Sequence, residues 1–217
     1  MKLVAAVLGC VALAACGSTV AGTATWPGAR LDNAVLGAAD FPAGVRYDRI
    51  VEKSGEPDGA AGPGSMLSRP EGCANALTNV IADSAERGPG SAAKYAVSYD
   101  GARVVMTVLS WNLDLDKLRA AAARCERFEA FFDPGSEGIP ITTTPLPGVD
   151  PDALAYQQTM TLRDAPSSIY MAFQNVGSAA VFGVAFATPD PSIAVPANMP
   201  RTFLEVFGRQ VAKLRAS

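Results

Sequence analysis

Hydrophobic and polar positions alternate most clearly in the middle of the chain. Lys94 to Tyr99 and Ala102 to Ser110 each place apolar residues at every second position, and Asp100-Gly101 separates them. Both loop residues tolerate positive φ, so this pattern predicts a two-residue hairpin. Pairing Tyr99 with Ala102 sets Val97 opposite Val104 and Tyr95 opposite Met106, so that the apolar faces coincide. Trp111-Asn112-Leu113 ends the hairpin, and Asp114 or Asp116 is placed to cap a following helix. Alternation returns over Asp152 to Arg163, Ser168 to Asn175 and Ala179 to Thr188, with Asp164-Ala165-Pro166-Ser167 and Gly177-Ser178 as turns, which predicts an antiparallel meander. A further strand is expected over Val45 to Val51.

Helical spacing appears in three places. Gly72 to Ala85 puts Cys73, Leu77, Val80 and Ser84 on one stripe, and Leu115 to Phe132 does so for Leu115, Leu118, Ala122, Cys125 and Phe132. Met199 to Leu214 carries Phe203, Val206, Phe207, Gln210, Val211 and Leu214 as a nearly continuous stripe, with Pro200 suited to the first turn. The expected class is α+β: an antiparallel sheet of about five to six strands with helices packed on one face and one disulfide. One strand strains that picture. Phe182 and Phe186 lie on one face of it and Val181 and Ala185 on the other, which calls for helices on both sides, a partner or a ligand.

The N-terminus has a different texture. Lys2 precedes an uncharged apolar run from Leu3 to Ala15, too short to span a bilayer and laid out as a secretory signal. It ends in Leu13-Ala14-Ala15-Cys16, with Gly17 and Ser18 following, which resembles the lipobox of bacterial lipoproteins. That resemblance implies a lipid on the Cys16 sulfur and cleavage before it, so Cys10 is discarded with residues 1–15. Residues 16–29 are uncharged and rich in Gly, Ala, Ser and Thr, a flexible tether of roughly 20 Å average span. Residues 30–217 are expected to form a single domain. The expected place is the outer face of the cell membrane, held there by the N-terminal lipid. A second stretch poor in apolar residues, Ser54 to Arg69, is long for a connection within a compact domain, and Gly88-Pro89-Gly90-Ser91 breaks the chain before the hairpin.

Charge and cysteine content narrow the chemistry. The net charge is −3, and loss of Lys2 makes it −4, which argues against nucleic acid. After processing, Cys73 and Cys125 remain beside Cys16. An even pair in an exported domain reads as a bridge, and both lie on inward helical stripes; two separate buried thiols are the alternative. The chain has no histidine, so no Ser-His-Asp or Cys-His arrangement exists, and two cysteines so far apart lack zinc spacing. No phosphate-binding glycine loop, dinucleotide fingerprint or Gly-x-Ser-x-Gly occurs. The carboxylate pairs Asp114/Asp116 and Asp150/Asp152 are explained by helix capping and turns. No cofactor, metal site or catalytic residue is assigned.

A lipobox, a small-residue tether and an Ala/Gly/Pro-rich domain resemble secreted lipoproteins of mycobacteria and related actinobacteria. Within that domain, Leu36-Gly37-Ala38-Ala39-Asp40-Phe41-Pro42-Ala43-Gly44 is similar to an opening phrase of sensor-like domains in that group. Those resemble the extracellular sensor domain of a mycobacterial serine/threonine kinase. The resemblance implies an α/β fold with a cleft and a binding or sensing role without an assigned ligand. That family's domain carries two disulfides, whereas this chain can form one. The resulting expectation is a non-enzymatic domain that binds a protein or small ligand. The alternative is a carrier of a lipid or other apolar ligand in a cavity lined by Tyr156, Met160, Tyr170, Met171, Phe173, Phe182 and Phe186.

Overall fold

A computed structural model describes residues 27–51, 66–83, 90–162 and 165–217. The signal run, Cys16, the tether as far as Trp26 and most of the 54–69 stretch lie outside the described residues. The backbone is organised by one nine-stranded, wholly antiparallel sheet in the order β1-β3-β4-β9-β8-β7-β6-β5-β2. Its strands are β1 Arg46–Ile50, β2 Leu67–Arg69, β3 Ala92–Tyr99, β4 Gly101–Leu109, β5 Arg127–Phe131, β6 Ile139–Pro145, β7 Leu154–Leu162, β8 Ala165–Val176 and β9 Ala179–Thr188. The helices are α1 Pro27–Ala34, α2 Ala76–Asp83, α3 Leu115–Arg124 and α4 Arg201–Arg215.

The hairpin folds in the register that its apolar pattern dictates. Tyr99 pairs with Ala102, Val97 with Val104 and Tyr95 with Met106, and Gly101 takes φ +92° at the turn. The meander β7-β8-β9 forms as expected, although Leu162 pairs directly with Ala165, which takes Ala165, Pro166 and Ser167 into β8. Two expectations are corrected. The sheet has nine strands rather than five to six: β2 is only three residues long, β5 continues an apparent helical stripe through Cys125 and Phe132, and β6 is a threonine run without an apolar period. Helices cover both faces rather than one, which resolves the double-sided apolar character of β9.

The two sides of the sheet bury separate cores. On the first, α1 and α4 lie over Tyr95, Val97, Val104, Met106, Val108, Ala172, Val181 and Ala185. On the second, α2 and α3 lie over Tyr156, Met171, Phe173 and Ala180, with Leu77, Leu113 and Leu118 contributed from above. Strand alternation makes this possible: Val181 and Ala185 face one side while Phe182 and Val184 face the other. α1, absent from the sequence expectation, takes in residues 27–29 at its start. It is tied to α4 by Gln210, fully buried, whose Oε1 accepts the Leu36 N–H at 3.0 Å and whose Nε2 donates to the Ala34 carbonyl at 2.7 Å. Asp32 pairs with Arg49 on β1, closing the same corner.

The expected long helix over 115–132 ends at Arg124. Cys125 is its C-cap, and Phe128 and Ala130 then point inward at period two as β5, with Phe132 left exposed. Likewise α2 begins at Ala76, so Cys73 sits in the turn ahead of it. Ser68 shapes that turn: its Oγ accepts the N–H groups of Cys73 and Ala74 at 2.8 and 3.1 Å and donates to the Pro70 carbonyl at 2.9 Å. Cys73 and Cys125 are thereby brought together as a disulfide with Cα atoms 5.4 Å apart, in a third cluster with Phe128, Ala130 and Ile141. The staple joins the start of α2 to the end of α3.

Candidate functional site

Where helices stop covering the first face of the sheet, the side chains turn from apolar to hydroxyl and amide. Phe203, in the first turns of α4, packs its ring 6.3 Å from that of Tyr170 on β8. Across the ladder Tyr170 pairs with Gln157 on β7, and a polar row begins there. Gln157, Thr159 and Ser168 share this face with Thr142 and Thr144 on β6, as their cross-strand pairing requires. Gln157 Nε2 donates to Thr159 Oγ1 at 3.2 Å and to Ser168 Oγ at 2.9 Å, and the two hydroxyls lie 3.3 Å apart. All three are half-buried. Gly148, Pro200, Arg201, Leu204 and Glu205 line a shallow groove of about 350 Å³ between the 146–149 connection and the N-terminal half of α4.

This row can donate and accept hydrogen bonds without carrying charge. Ordered by its own hydrogen bonds, it suits a neutral polar group such as a hydroxyl or an amide. The chain contains no histidine to activate these hydroxyls. Every carboxyl group with a displaced acidity among the described residues is displaced downward. Asp40 is held below the usual range by the Gly37 N–H and then by Lys213 at 3.0 Å, Asp150 by the Asp152 N–H and then by Arg215, and Asp190 by Ser192. Such groups are fixed anions and not proton donors at neutral pH.

The same shift sets an acid response. Because the folded-state pKa of Asp40 lies below its unfolded value, its contribution is present above about pH 4 and is lost as pH falls through the folded value. Asp40→Asn is therefore expected to be less stable than the parent at pH 7, with the gap closing between pH 5 and pH 2 in urea titrations. The effect is modest, because the Asp40 side chain is 36% exposed and solvent screens the pair.

The remaining carboxylate pairs have separate structural uses. Asp114 caps α3 by accepting the Lys117 N–H at 2.8 Å, and Asp116 pairs with Arg119. Asp150 closes the turn before β7 on the Asp152 N–H and holds Arg215 at 3.0 Å. The aromatic and methionine side chains of the late strands do not line one space. Tyr170 belongs to the core under α4, Tyr156, Met171 and Phe173 to the core under α2 and α3, Met160 lies against the disulfide cluster, and Phe186 is 40% exposed. Apart from Phe186 they serve as core. The polar row was missed from sequence because β6 was missed. Its signal was the succession of Thr142-Thr143-Thr144, Gln157-Gln158-Thr159 and Ser167-Ser168 on neighbouring strands. Among the described residues no helix is long and apolar enough to cross a membrane, and no cluster of three or more acidic or Cys side chains is placed to hold a metal.

No protein-family model matches the chain, and no curated protein matches it in sequence. Two solved structures are similar to it. The crystal structure of the extracellular domain of PknH from Mycobacterium tuberculosis superimposes with a TM-score of 0.50 at 13% identity, covering 87% of this chain and 96% of that one. An uncharacterized protein of Mycobacterium smegmatis, the Rv0999 ortholog, gives a TM-score of 0.48 at 15% identity, covering 82% of this chain and 92% of that one. The chain thus has the fold of the PknH extracellular domain.

Proposed function

We propose that this chain is a cell-envelope lipoprotein, anchored by a lipid on Cys16, whose domain is a non-enzymatic, sensor-like binding domain. The observation that carries the binding role is the hydrogen-bonded hydroxyl and amide row of Gln157, Thr159 and Ser168, half-buried beside the α4 core at the point where that face opens to solvent over β6, β5 and β2. The fold shared with a kinase extracellular domain supports an extracytoplasmic setting, and the disulfide fits an oxidising compartment. The ligand expected there is neutral and polar, either a small molecule or a protein side chain. This replaces the apolar-carrier alternative, whose proposed lining is divided between two cores.

The test is an amide chemical-shift titration of the protein with short neutral oligosaccharides and uncharged polar peptides. At least one probe is expected to shift residues 142–144, 157–159 and 167–169, with the response lost in Gln157→Ala and Ser168→Ala. Shifts confined to other surfaces, or unaltered by both substitutions, would refute the site. The anchor is tested separately: Cys16→Ala is expected to move the protein from the detergent phase to the aqueous phase with its domain folded.

A further inference from the structure

The polar row meets the α4 core at a corner, and Tyr170 on β8 stands there. Its neighbours on that face are fixed by the ladder. Ala172 follows it along β8 and Ala185 opposes it on β9, both fully buried, while Gln157 opposes it on β7 and Ser168 precedes it. Its ring packs beside that of Phe203, and Tyr170 is only 9% exposed. The polar side-chain atoms of the described residues that are sealed without a partner belong to Tyr95, Trp111 and Gln174. The Tyr170 hydroxyl also has no partner among the described residues but is not one of these, so it reaches solvent. With Ala172 and Ala185 closed over, it does so on the side of Gln157 and Ser168.

Gln157 is engaged at one end only. Its Nε2 donates to Thr159 and Ser168, whereas its Oε1 accepts no hydrogen bond among the described residues and is likewise unsealed. The corner therefore offers an acceptor beside a donor. The acceptor is held by the hydrogen bonds on the nitrogen of its own amide, and the donor, the phenol O–H, by the packing of its ring. Directly opposed residues stand about 4.5–5.5 Å apart at Cβ, so one small group can meet both. Because both are held in advance, binding spends little side-chain freedom.

We infer that Tyr170 contacts the ligand of this row and sets its specificity, and that the group selected is a primary carboxamide of the kind on an Asn or Gln side chain. The ligand's N–H donates to Gln157 Oε1, and its carbonyl accepts from the Tyr170 hydroxyl. This rests on the reading of the row as a binding surface and adds the chemical group bound there. A carboxamide carries donor and acceptor on one rigid planar edge. A carboxylate of the same shape has no donor and turns a negatively charged acceptor on Oε1. A dimethylated amide keeps the acceptor and loses the donor. A hydroxyl has to be turned and held before it serves, a cost that the planar amide avoids.

The test titrates the full chain in detergent, by amide chemical shift, with acetyl-Gly-Gln-Gly-methylamide, its Glu and N,N-dimethyl-Gln counterparts, and cellobiose as a hydroxyl-only probe. The Gln peptide is expected to shift residues 157–159 and 168–170 and to bind at least about tenfold more tightly than the other three. Tyr170→Phe keeps the ring in the core, so it should weaken the Gln peptide roughly five- to tenfold and leave the melting temperature unchanged. Gln157→Ala should abolish the preference for Gln over dimethyl-Gln. Propanamide tells a free small amide from a peptide side chain: affinity equal to that of the Gln peptide assigns the first and much weaker binding the second, and either upholds the carboxamide. Equal affinity for the three peptides, tighter binding of cellobiose, or a Gln-peptide affinity untouched by Tyr170→Phe would overturn the inference. In each of those cases, shifts at residues 157–159 that vanish in Gln157→Ala still uphold the row as a binding surface. No response to any of these probes overturns the carboxamide, and the row then stands or falls with the oligosaccharides and peptides of the wider titration above.

Discussion

Chains carrying Cys73→Ser, Cys125→Ser or both substitutions are expected to lose about 2–5 kcal/mol of stability, by the same amount in all three, because each breaks the same bridge. Closing a loop between residues 52 apart restricts the unfolded chain by about 4 kcal/mol in the chain-entropy account. That is a large share of the 5–15 kcal/mol on which a typical domain depends. The bridge also has a local task. It joins the turn shaped by Ser68 to the C-cap of α3, and it buries with Phe128, Ala130 and Ile141 at the β5–β6 end of the sheet. That end is the thinner one, since β2 spans Leu67–Arg69 alone and β5 only Arg127–Phe131. Loss of the staple should thus increase amide exchange first in β2, β5 and the turn before α2. Reductant should lower the melting temperature of the parent and leave the double variant nearly unmoved. Two maleimide-reactive thiols in unreduced, denatured parent protein would sink the prediction.

What the sequence disclosed follows from how strongly each segment alternates. The hairpin was legible to the residue because Asp100-Gly101 admits one register in which Tyr95, Val97, Val104 and Met106 share a face. The meander and α4 were legible for the same reason: each buries a long stripe of large residues. Three strands escaped. β6, Ile139–Pro145, is a threonine run between prolines, whose polar side chains face both sides of the sheet and give no apolar period. β5 was absorbed into the preceding helix because Cys125 and Phe132 happen to extend a helical stripe, although Phe128 and Ala130 are the ones buried. With β5 and β6 unseen, the strand count fell short and the polar row could not be assembled, since Thr142 and Thr144 belong to it. The small hydrogen-bonded devices escaped as well. Asn175, whose side chain both accepts from and donates to the Leu113 backbone at 2.8 and 2.9 Å, fixes the path from β4 into α3 by a contact that no local pattern announces. The second helical layer was foreshadowed by β9, where Phe182 and Val181 left no face polar, but its position needed the crossover chain to be traced.

Phe203→Ala is expected to be the most damaging single change on the α4 side, costing about 3–5 kcal/mol. Phe203 is fully buried, with its ring beside those of Tyr170 at 6.3 Å and Phe207 at 6.4 Å. It also lies over Gly183, at the centre of β9. A Cβ added there would meet Met106 Sδ at 2.6 Å and the Phe203 ring at 3.1 Å, so the missing side chain is what lets α4 sit this close to the sheet. The two positions are therefore coupled, and a double-mutant cycle isolates the coupling. Gly183→Ala alone forces Met106 and the Phe203 ring to give way and is destabilising. In the Phe203→Ala background the ring contact is gone and Met106 can shift into the vacated space, so the cost of the same methyl should fall by about 0.5–3 kcal/mol. Urea titrations of the four proteins measure this directly, and additive losses would show that α4 does not rest on Gly183. Because Tyr170 separates Phe203 from Gln157, the single Phe203→Ala variant should also loosen the covered edge of the polar row, read as faster amide exchange at residues 157 and 170 than at residues on β3.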